Sequence, residues 1–316
     1  MRVALIGYGS VARAFVRLIT EKRRCYPFRI AGAHTLRHGT AYGYPLEFGP
    51  AAASVGEFLD RAGAETLVEL SPLAPETGEP ALTHIREAFA RRMHVVTANK
   101  GPVAHAYSAL REEAKAHGVE FRFESTVMDG APVFNLVKRC MPAVRIEGFS
   151  GALSSTTKVI LAAMEEGRSF AEGVAEAQAM GITEAEPEFD VDGWDAAVKA
   201  AALANVLMDA GARPQDVERE GIGALTPEDV RAARAAGEIY VLTSRGERLK
   251  DGTVRMQVRP ERLGRSEPLA TARGTSNLLL LHTDLMGTVG TMSIEPGVAQ
   301  TAYGVLSDLV DITRTI

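Results

Sequence analysis

The 316-residue chain has few cysteines, few lysines and no long apolar run. Cys25 and Cys140 alone cannot form a disulfide framework, which points to a reducing, cytoplasmic setting. The strongly apolar run Leu278 to Leu281 is far short of the roughly 20 residues a membrane helix needs. The start, MRVALIGYGS, is apolar only from Val3 to Ile6 and then meets glycines, so it is not read as a signal peptide. A net charge of −5 implies no basic face for nucleic acid. Lysine is scarce: seven residues against 28 arginines. Where a fixed positive charge suffices the chain uses Arg, so each Lys, which can lose its proton, merits attention. The seven histidines suggest no metal centre; His34 and His38 lie four apart without further ligands.

What remains is an ordinary globular composition, 46% hydrophobic and 24% charged, long enough for two domains. Residues 1 to about 130 alternate strand and helix. Strands are expected at Val3–Ile6, Phe28–Ala33, Thr66–Leu70, His94–Thr97 and Glu120–Phe123. Helices are expected at Ser10–Thr20, with Val11, Ala14, Phe15 and Leu18 inward, and at Val55–Ala62, Glu79–Arg92 and Ala104–His117. This rhythm predicts a doubly wound parallel sheet of the α/β class. Beyond residue 131 a helix over 133–138, a strand over 145–153 and a helix over 156–166 lead to a β-rich stretch. Its strands are expected at 238–245, 253–259, 270–273, 277–283 and 289–294, with Asp251–Gly252 as a hairpin turn. Residues 299–310 return to helical spacing. The domains are therefore read as 1–130, completed by 296–316, and an α+β domain over 131–295.

Two segments carry chemistry. Gly7-Tyr8-Gly9-Ser10-Val11-Ala12 follows a strand and opens a helix, as a dinucleotide-binding turn does. Gly7 permits the tight turn, and Gly9 lets backbone N–H groups approach a pyrophosphate at the helix's positive end. No acidic residue stands between Phe28 and Tyr44 to hold a ribose 2′-hydroxyl. Thr35, Arg37 and His38 would instead suit a 2′-phosphate, so NADP is favoured over NAD, unless Arg37 is merely a solvated loop residue.

The second segment runs from Gly181 to Lys199. Glu184, Glu186, Glu188, Asp190, Asp192 and Asp195 fall within twelve residues. A helix apolar on nearly every side follows, with Asp195, Lys199 and Asn205 as its polar interruptions. Asp195 and Lys199, four apart, share one face. Either they form an ordinary ion pair, or they are an acid–amine pair preorganised in a cleft.

Five segments in chain order resemble the homoserine dehydrogenases. Glu69 to Gly101, ELSPLAPETGEPALTHIREAFARRMHVVTANKG, is similar to that family's third strand, Thr-Gly-Glu-Pro-Ala helix and Thr-Ala-Asn-Lys-Gly turn. Glu124 to Pro132 resembles its Glu-x-x-Val-x-x-Gly-x-Pro motif, and Gly151 to Thr157 its Gly-x-Leu-Asn-Gly-Thr-Thr motif, with Ser154-Ser155 in place of Asn-Gly. The acidic segment resembles its substrate motif, with Glu186 for Asp and Ile182 for an aromatic. Pro296 to Ala302 resembles the closing helix, where Val298 departs from the glycine pattern.

The resemblance implies interconversion of L-aspartate 4-semialdehyde and L-homoserine, in threonine and methionine biosynthesis, by a cytoplasmic homodimer. It implies Lys199 and Lys100 as acid/base groups and Asp195 as the residue that orients Lys199. Glu184, Asp190, Thr156 and Gly181 would line the substrate. Ser10, Val11, Ser71, Asn99, Lys100, Gly297 and Thr301 would join the glycines at the cofactor. Glu124, Val127, Asp129 and Ala131 would hold Na+ or K+, although a solvated turn explains the same residues. Two amines serving one developing oxyanion stabilise it, and by mutual repulsion at least one yields its proton more readily. At this length, an additional C-terminal regulatory domain and a fused kinase are not expected. Two alternatives stay open: another two-domain NADP oxidoreductase acting on a small amino or hydroxy acid, and an NADP-sensing regulator without turnover.

Overall fold

The computed structural model describes residues 1–183 and 187–315 and divides into two units, Met1–Pro132 with Gly297–Ile316, and Val133–Pro296. The first unit carries β1 (Arg2–Ile6), α1 (Ser10–Glu21), β2 (Arg29–Thr35), β3 (Gly39–Tyr42), α2 (Val55–Ala62), β4 (Thr66–Glu69), α3 (Ala81–Ala90), β5 (His94–Thr97), α4 (Lys100–His117) and β6 (Phe121–Arg122). Its sheet has the order β3-β2-β1-β4-β5-β6. All pairs are parallel except β2–β3, an antiparallel edge hairpin that periodicity did not reveal. The strand order steps outward in both directions from β1, so β1, β2, β4 and β5 present their carboxyl ends along one edge.

Local signals explain the boundaries. The Ser54 hydroxyl accepts from Glu57 N to start α2, and Gly63, at φ 55°, ends it. Asn99 starts α4 in the same way, and Gly118, at φ 68°, closes it. Helix α4 begins at Lys100, four residues earlier than its apolar spacing suggests, because Asn99 caps it there. On α1 the buried face is Ala12, Ala14, Phe15, Val16 and Ile19, while Val11 and Leu18 are only half-buried. The face is wider than expected because α1 meets both the sheet and the closing helix, Val298–Thr315. Phe15, Val68 and Val96 form one core with Val305, Leu309 and Ile312 of that helix.

The second unit contains β7 (Ile146–Ala152), α5 (Ser155–Glu165), α6 (Phe170–Ala179), α7 (Glu188–Val191), α8 (Trp194–Met208), β8 (Glu218–Arg219), α9 (Pro227–Ala235), β9 (Glu238–Arg248), β10 (Val254–Gly264), β11 (Asn277–Thr283) and β12 (Gly287–Ser293). Its sheet runs β12-β11-β7-β9-β10-β8, antiparallel apart from β8 beside β10. Helix α8 packs on β9 and β10 and is buried along nearly its whole length.

The structure differs from expectation in three places. Residues 270–273 are not a strand. A 3-10 turn, Pro268–Thr271, occupies the region, with proline at its start and Leu269 and Ala270 buried beside Ile239, Val241 and Leu263. The helix expected over 133–138 is present over 134–140, but winds as a π-helix from Leu136 to Cys140. Helices α6 and α9 were missed, although each carries a capping box, Ser169 with Glu172 and Thr226 with Asp229.

The closing helix is fastened by close backbone approach. A Cβ on Gly130 would lie 2.1 Å from the Gln300 carbonyl oxygen, a backbone atom that cannot turn aside. Gly130→Ala should therefore cost about 1–3 kcal/mol, the usual penalty of overpacking. The check is a thermal melt: Tm should fall by at least about 3 °C, and an unchanged Tm would contradict this packing.

Candidate active site

The carboxyl edge of the first sheet begins with the glycine turn. Gly7 has φ +90°, and a Cβ there would meet the Leu70 carbonyl oxygen at 2.4 Å, so only glycine fits. Its N–H donates to the His34 carbonyl at 2.9 Å. Gly9 is the N-cap of α1 with no side-chain cap, and a Cβ on it would find nothing within 4 Å. No acidic residue lies in the first turn of α1. Ser10 is exposed beside this open N-terminus. Such a terminus offers unsatisfied N–H groups to an anion.

At the end of β2 the Thr35 hydroxyl accepts from His38 N at 2.8 Å and donates to the Gly39 carbonyl at 3.4 Å. Thr35 is thus occupied in shaping the turn, and Arg37 and His38 are the exposed groups at this position. Burial, then the nearby His84, pushes the His34 imidazole below its ordinary value.

Beside the turn, β4 and β5 end in a buried network. Glu69 is fully buried. Its Oε1 accepts from Ser71 N at 3.0 Å and faces His84 Nδ1 at 3.4 Å; its Oε2 accepts from the Thr97 hydroxyl at 3.0 Å. Asn99 donates to the Ser71 and Pro72 carbonyls, each at 3.2 Å, and accepts from Gly101 N at 3.0 Å. These bonds fix the loops after both strands and set half-buried Lys100 at the first position of α4. The Ser71 hydroxyl is shielded from solvent and has no hydrogen-bond partner among the described residues. A buried hydroxyl without a partner is costly unless a ligand completes it. The open α1 N-terminus and this hydroxyl, on one sheet edge, fit a dinucleotide. Glu69 and His84 were not singled out as site residues; the one available signal was a glutamate ending an otherwise apolar strand.

The loop after β6 holds the expected cation ligands. Glu124 is buried in a 3-10 turn, and its N–H donates to Asp308 Oδ2 at 2.9 Å. Val127 is buried, Asp129 sits at φ 58°, and Ala131 N donates to the Met128 carbonyl. The Thr301 hydroxyl donates to Asp129 Oδ1 at 3.3 Å, and Ser125 Oγ donates to the Thr301 carbonyl at 2.8 Å. Thr301 therefore ties the closing helix to this loop. Gly297 N donates to Gln300 Oε1 at 3.0 Å at the start of that helix.

In the second unit, the Lys199 ammonium lies 2.9 Å from Asp195 Oδ2 and donates to the Leu153 carbonyl at 2.7 Å. Both side chains are mostly buried, 14% and 16% exposed. The ion pair joins one helix turn, and the carbonyl comes from the segment between β7 and α5. A buried amine with two fixed partners cannot swing as a surface lysine does. The Leu153 carbonyl was not foreseen, since nothing in its side chain reveals it.

Asp190 stands near this pair. Burial, reinforced by the Asp195 charge, pushes its carboxyl above the ordinary value, while hydroxyl bonds from Thr183 and Thr156 and the Lys199 charge pull the other way. Its Oδ2 accepts from Thr156 at 2.9 Å and from Thr183 at 2.8 Å. Thr156 thus joins α5 to the acidic segment. Gly181 has φ +69° with open space where a Cβ would stand. Glu184 lies outside the described residues, as does Glu186. The second unit therefore brings Lys199, Asp195, Asp190 and Thr156 together, whereas Lys100 belongs to the first unit.

Comparison with known proteins supports a family assignment. The homoserine dehydrogenase family model matches residues 132–310, more than half of the chain. The chain is 34% identical to the NAD(+)-dependent homoserine dehydrogenase of Pseudomonas canavaninivorans, covering 99% of this chain and 96% of that protein. It is 39% identical to a homoserine dehydrogenase of Methanocaldococcus jannaschii over 87% of this chain and 80% of that one. The crystal structure of a homoserine dehydrogenase from Thiobacillus denitrificans superposes with a TM-score of 0.88 at 29% identity, covering 99% of this chain and 73% of that one. The homoserine dehydrogenase from Thermoplasma acidophilum does so with a TM-score of 0.87 at 25% identity, covering 99% of both. Taken with the dinucleotide-type turn and the Asp195–Lys199 pair, these matches establish that the chain belongs to the homoserine dehydrogenase family.

Proposed function

We propose that this oxidoreductase interconverts L-aspartate 4-semialdehyde and L-homoserine, with Lys199 moving the proton at the reacting oxygen. The observation that carries this reading is the mostly buried Lys199 ammonium, held by Asp195 and the Leu153 carbonyl on a helix that is otherwise apolar. When bound, the nicotinamide supplies or accepts the hydride. Reduction of the aldehyde builds negative charge on its oxygen. Lys199 donates the proton there, and in the reverse direction it takes the proton from the alcohol. Asp195 orients the amine, and Lys100 adds a second cation for the developing charge. Glu184 accepts from the substrate's α-ammonium, with Asp190, Thr156 and Gly181 shaping the rest of the pocket. This role for Lys100 and Lys199 requires that both serve one carbonyl.

Gly7, Gly9, Ser10, Val11, Ser71, Asn99, Gly297 and Thr301 are assigned to the cofactor. Exposed Arg37 and His38, with no acid between Phe28 and Tyr44, favour NADP through its 2′-phosphate. The opposite preference has support in the relative named NAD(+)-dependent. For a monovalent cation, Na+ or K+, the buried Glu124 carboxylate and the carbonyls of Val127, Asp129 and Ala131 are the oxygen donors. A homodimer is proposed through the edge strand β12, where Met292 and the following Ile294 are exposed. Threonine and methionine biosynthesis in the cytoplasm is the corresponding setting.

Oxidation of L-homoserine, followed at the nicotinamide absorbance, tests the reaction, and no turnover with either cofactor would refute it. Lys199→Arg keeps the charge but cannot yield the proton. It should lower kcat at least about 100-fold with the dinucleotide Kd unchanged; near-normal turnover would remove Lys199 from the chemistry. On cofactor choice, kcat/KM should favour NADPH over NADH by about tenfold or more, and Arg37→Ala should erase most of that ratio, each being the scale of one charge-assisted contact. A preference for NADH would refute the 2′-phosphate assignment.

A further inference from the structure

Many arginines of this chain are paired with acids. Arg91 meets Asp60 and Glu87, Arg122 meets Glu120 and Asp311, Arg245 and Arg259 share Glu261, and Arg255 meets Glu218. The stretch from residue 13 to 29 is different. It holds Arg13, Arg17, Lys22, Arg23, Arg24 and Arg29 against a single acid, Glu21, in a chain whose net charge is −5. All six basic side chains are exposed, and none has an ion pair or side-chain hydrogen bond among the described residues.

Three of them converge on a cavity. A surface cavity of about 560 Å³ is lined by Thr20, Arg23, Arg24, Arg29, Phe28 and Tyr44, among others. That volume lies within the ordinary range for small-molecule sites. Arg13, Arg17 and Thr20 follow one another along one face of α1 toward it. The larger cavity between α2 and α3 offers no comparable charge, because Glu57, Asp60 and Glu87 line it beside Arg61 and Arg91.

The position excludes the dinucleotide turn as the explanation. Strand β2 begins at Arg29, and antiparallel β3 ends at Tyr42, so the cavity opens on the amino edge of the sheet. The glycine turn lies at the other end of the strands, roughly 20 Å away for a seven-residue strand. The negative end of α1, where Lys22 is the C-cap residue, balances only about half a charge. Arg23, Arg24 and Arg29 remain in surplus. Clustered guanidinium groups repel one another unless an anion sits among them, and their forks suit phosphate oxygens. The Tyr44 ring, 57% exposed at the same cavity, offers a flat face for a base.

We propose that this cavity is a second anion site, built for a nucleoside polyphosphate and separate from the dinucleotide turn. Arg23, Arg24 and Arg29 grip the phosphates, and Tyr44 stacks on the base. The test is calorimetric titration of sodium ATP, in EDTA, into the full chain saturated with NADP+. One equivalent per chain should bind, more weakly as salt rises. The double variant Arg24→Gln, Arg29→Gln should weaken ATP at least tenfold and leave the NADP+ Kd and the melting temperature unchanged. Inorganic tripolyphosphate should bind at least several-fold more weakly than ATP, and Tyr44→Ala should abolish that difference. The proposal is overturned if ATP does not bind, if NADP+ competes it away, or if the double variant binds as well as the parent. It is equally overturned if tripolyphosphate matches ATP, or if only a long polyanion such as a 20-mer DNA binds.

Discussion

The chemistry proposed for this family member depends on one buried ammonium with two fixed partners. Lys199 is held along its helix by the Asp195 carboxylate at 2.9 Å and across from it by the Leu153 carbonyl at 2.7 Å. An isolated charge at such a depth would be costly. The carboxylate offsets that cost, and the carbonyl fixes the direction in which the amine points. The helix must supply rigidity, which is why its other faces are alanine, valine and leucine packed on β9 and β10. Asp190 completes the polar patch, bound by two threonine hydroxyls and shifted by burial and by Asp195.

The first unit applies the same principle with backbone and buried acid. Glu69 and Asn99 occupy the loops after β4 and β5 so fully that their geometry is set before any ligand arrives. What they leave open is specific: the bare N-terminus of α1 and the unpartnered Ser71 hydroxyl. Rigid surroundings around a few unsatisfied donors make a preorganised ligand site.

Much of this was legible in the residues, and what was not has physical causes. The alternation of apolar strands and helices predicted the parallel sheet, because crossover connections demand that rhythm. Asp195 and Lys199 stood out because a buried helix tolerates few charges. Strand β3 was missed because four residues on a hairpin edge carry almost no period. The supposed strand at 270–273 was a turn, since apolar residues after a proline bury without pairing. Backbone partners were invisible: neither the Leu153 carbonyl nor the role of Thr35 in its own turn is written in side-chain chemistry. The unpaired arginines of residues 13–29 were visible as letters, but only the structure shows three of them lining one cavity.

The most direct measurement is the pH dependence of kcat for aldehyde reduction in the parent and in Asp195→Asn. A neighbouring carboxylate favours the protonated amine, so removing it should make the proton donor fail at lower pH. The basic limb should move down by about one pH unit or more in the variant, with dinucleotide affinity retained. A basic limb that stays in place would contradict the role given to the Asp195–Lys199 pair.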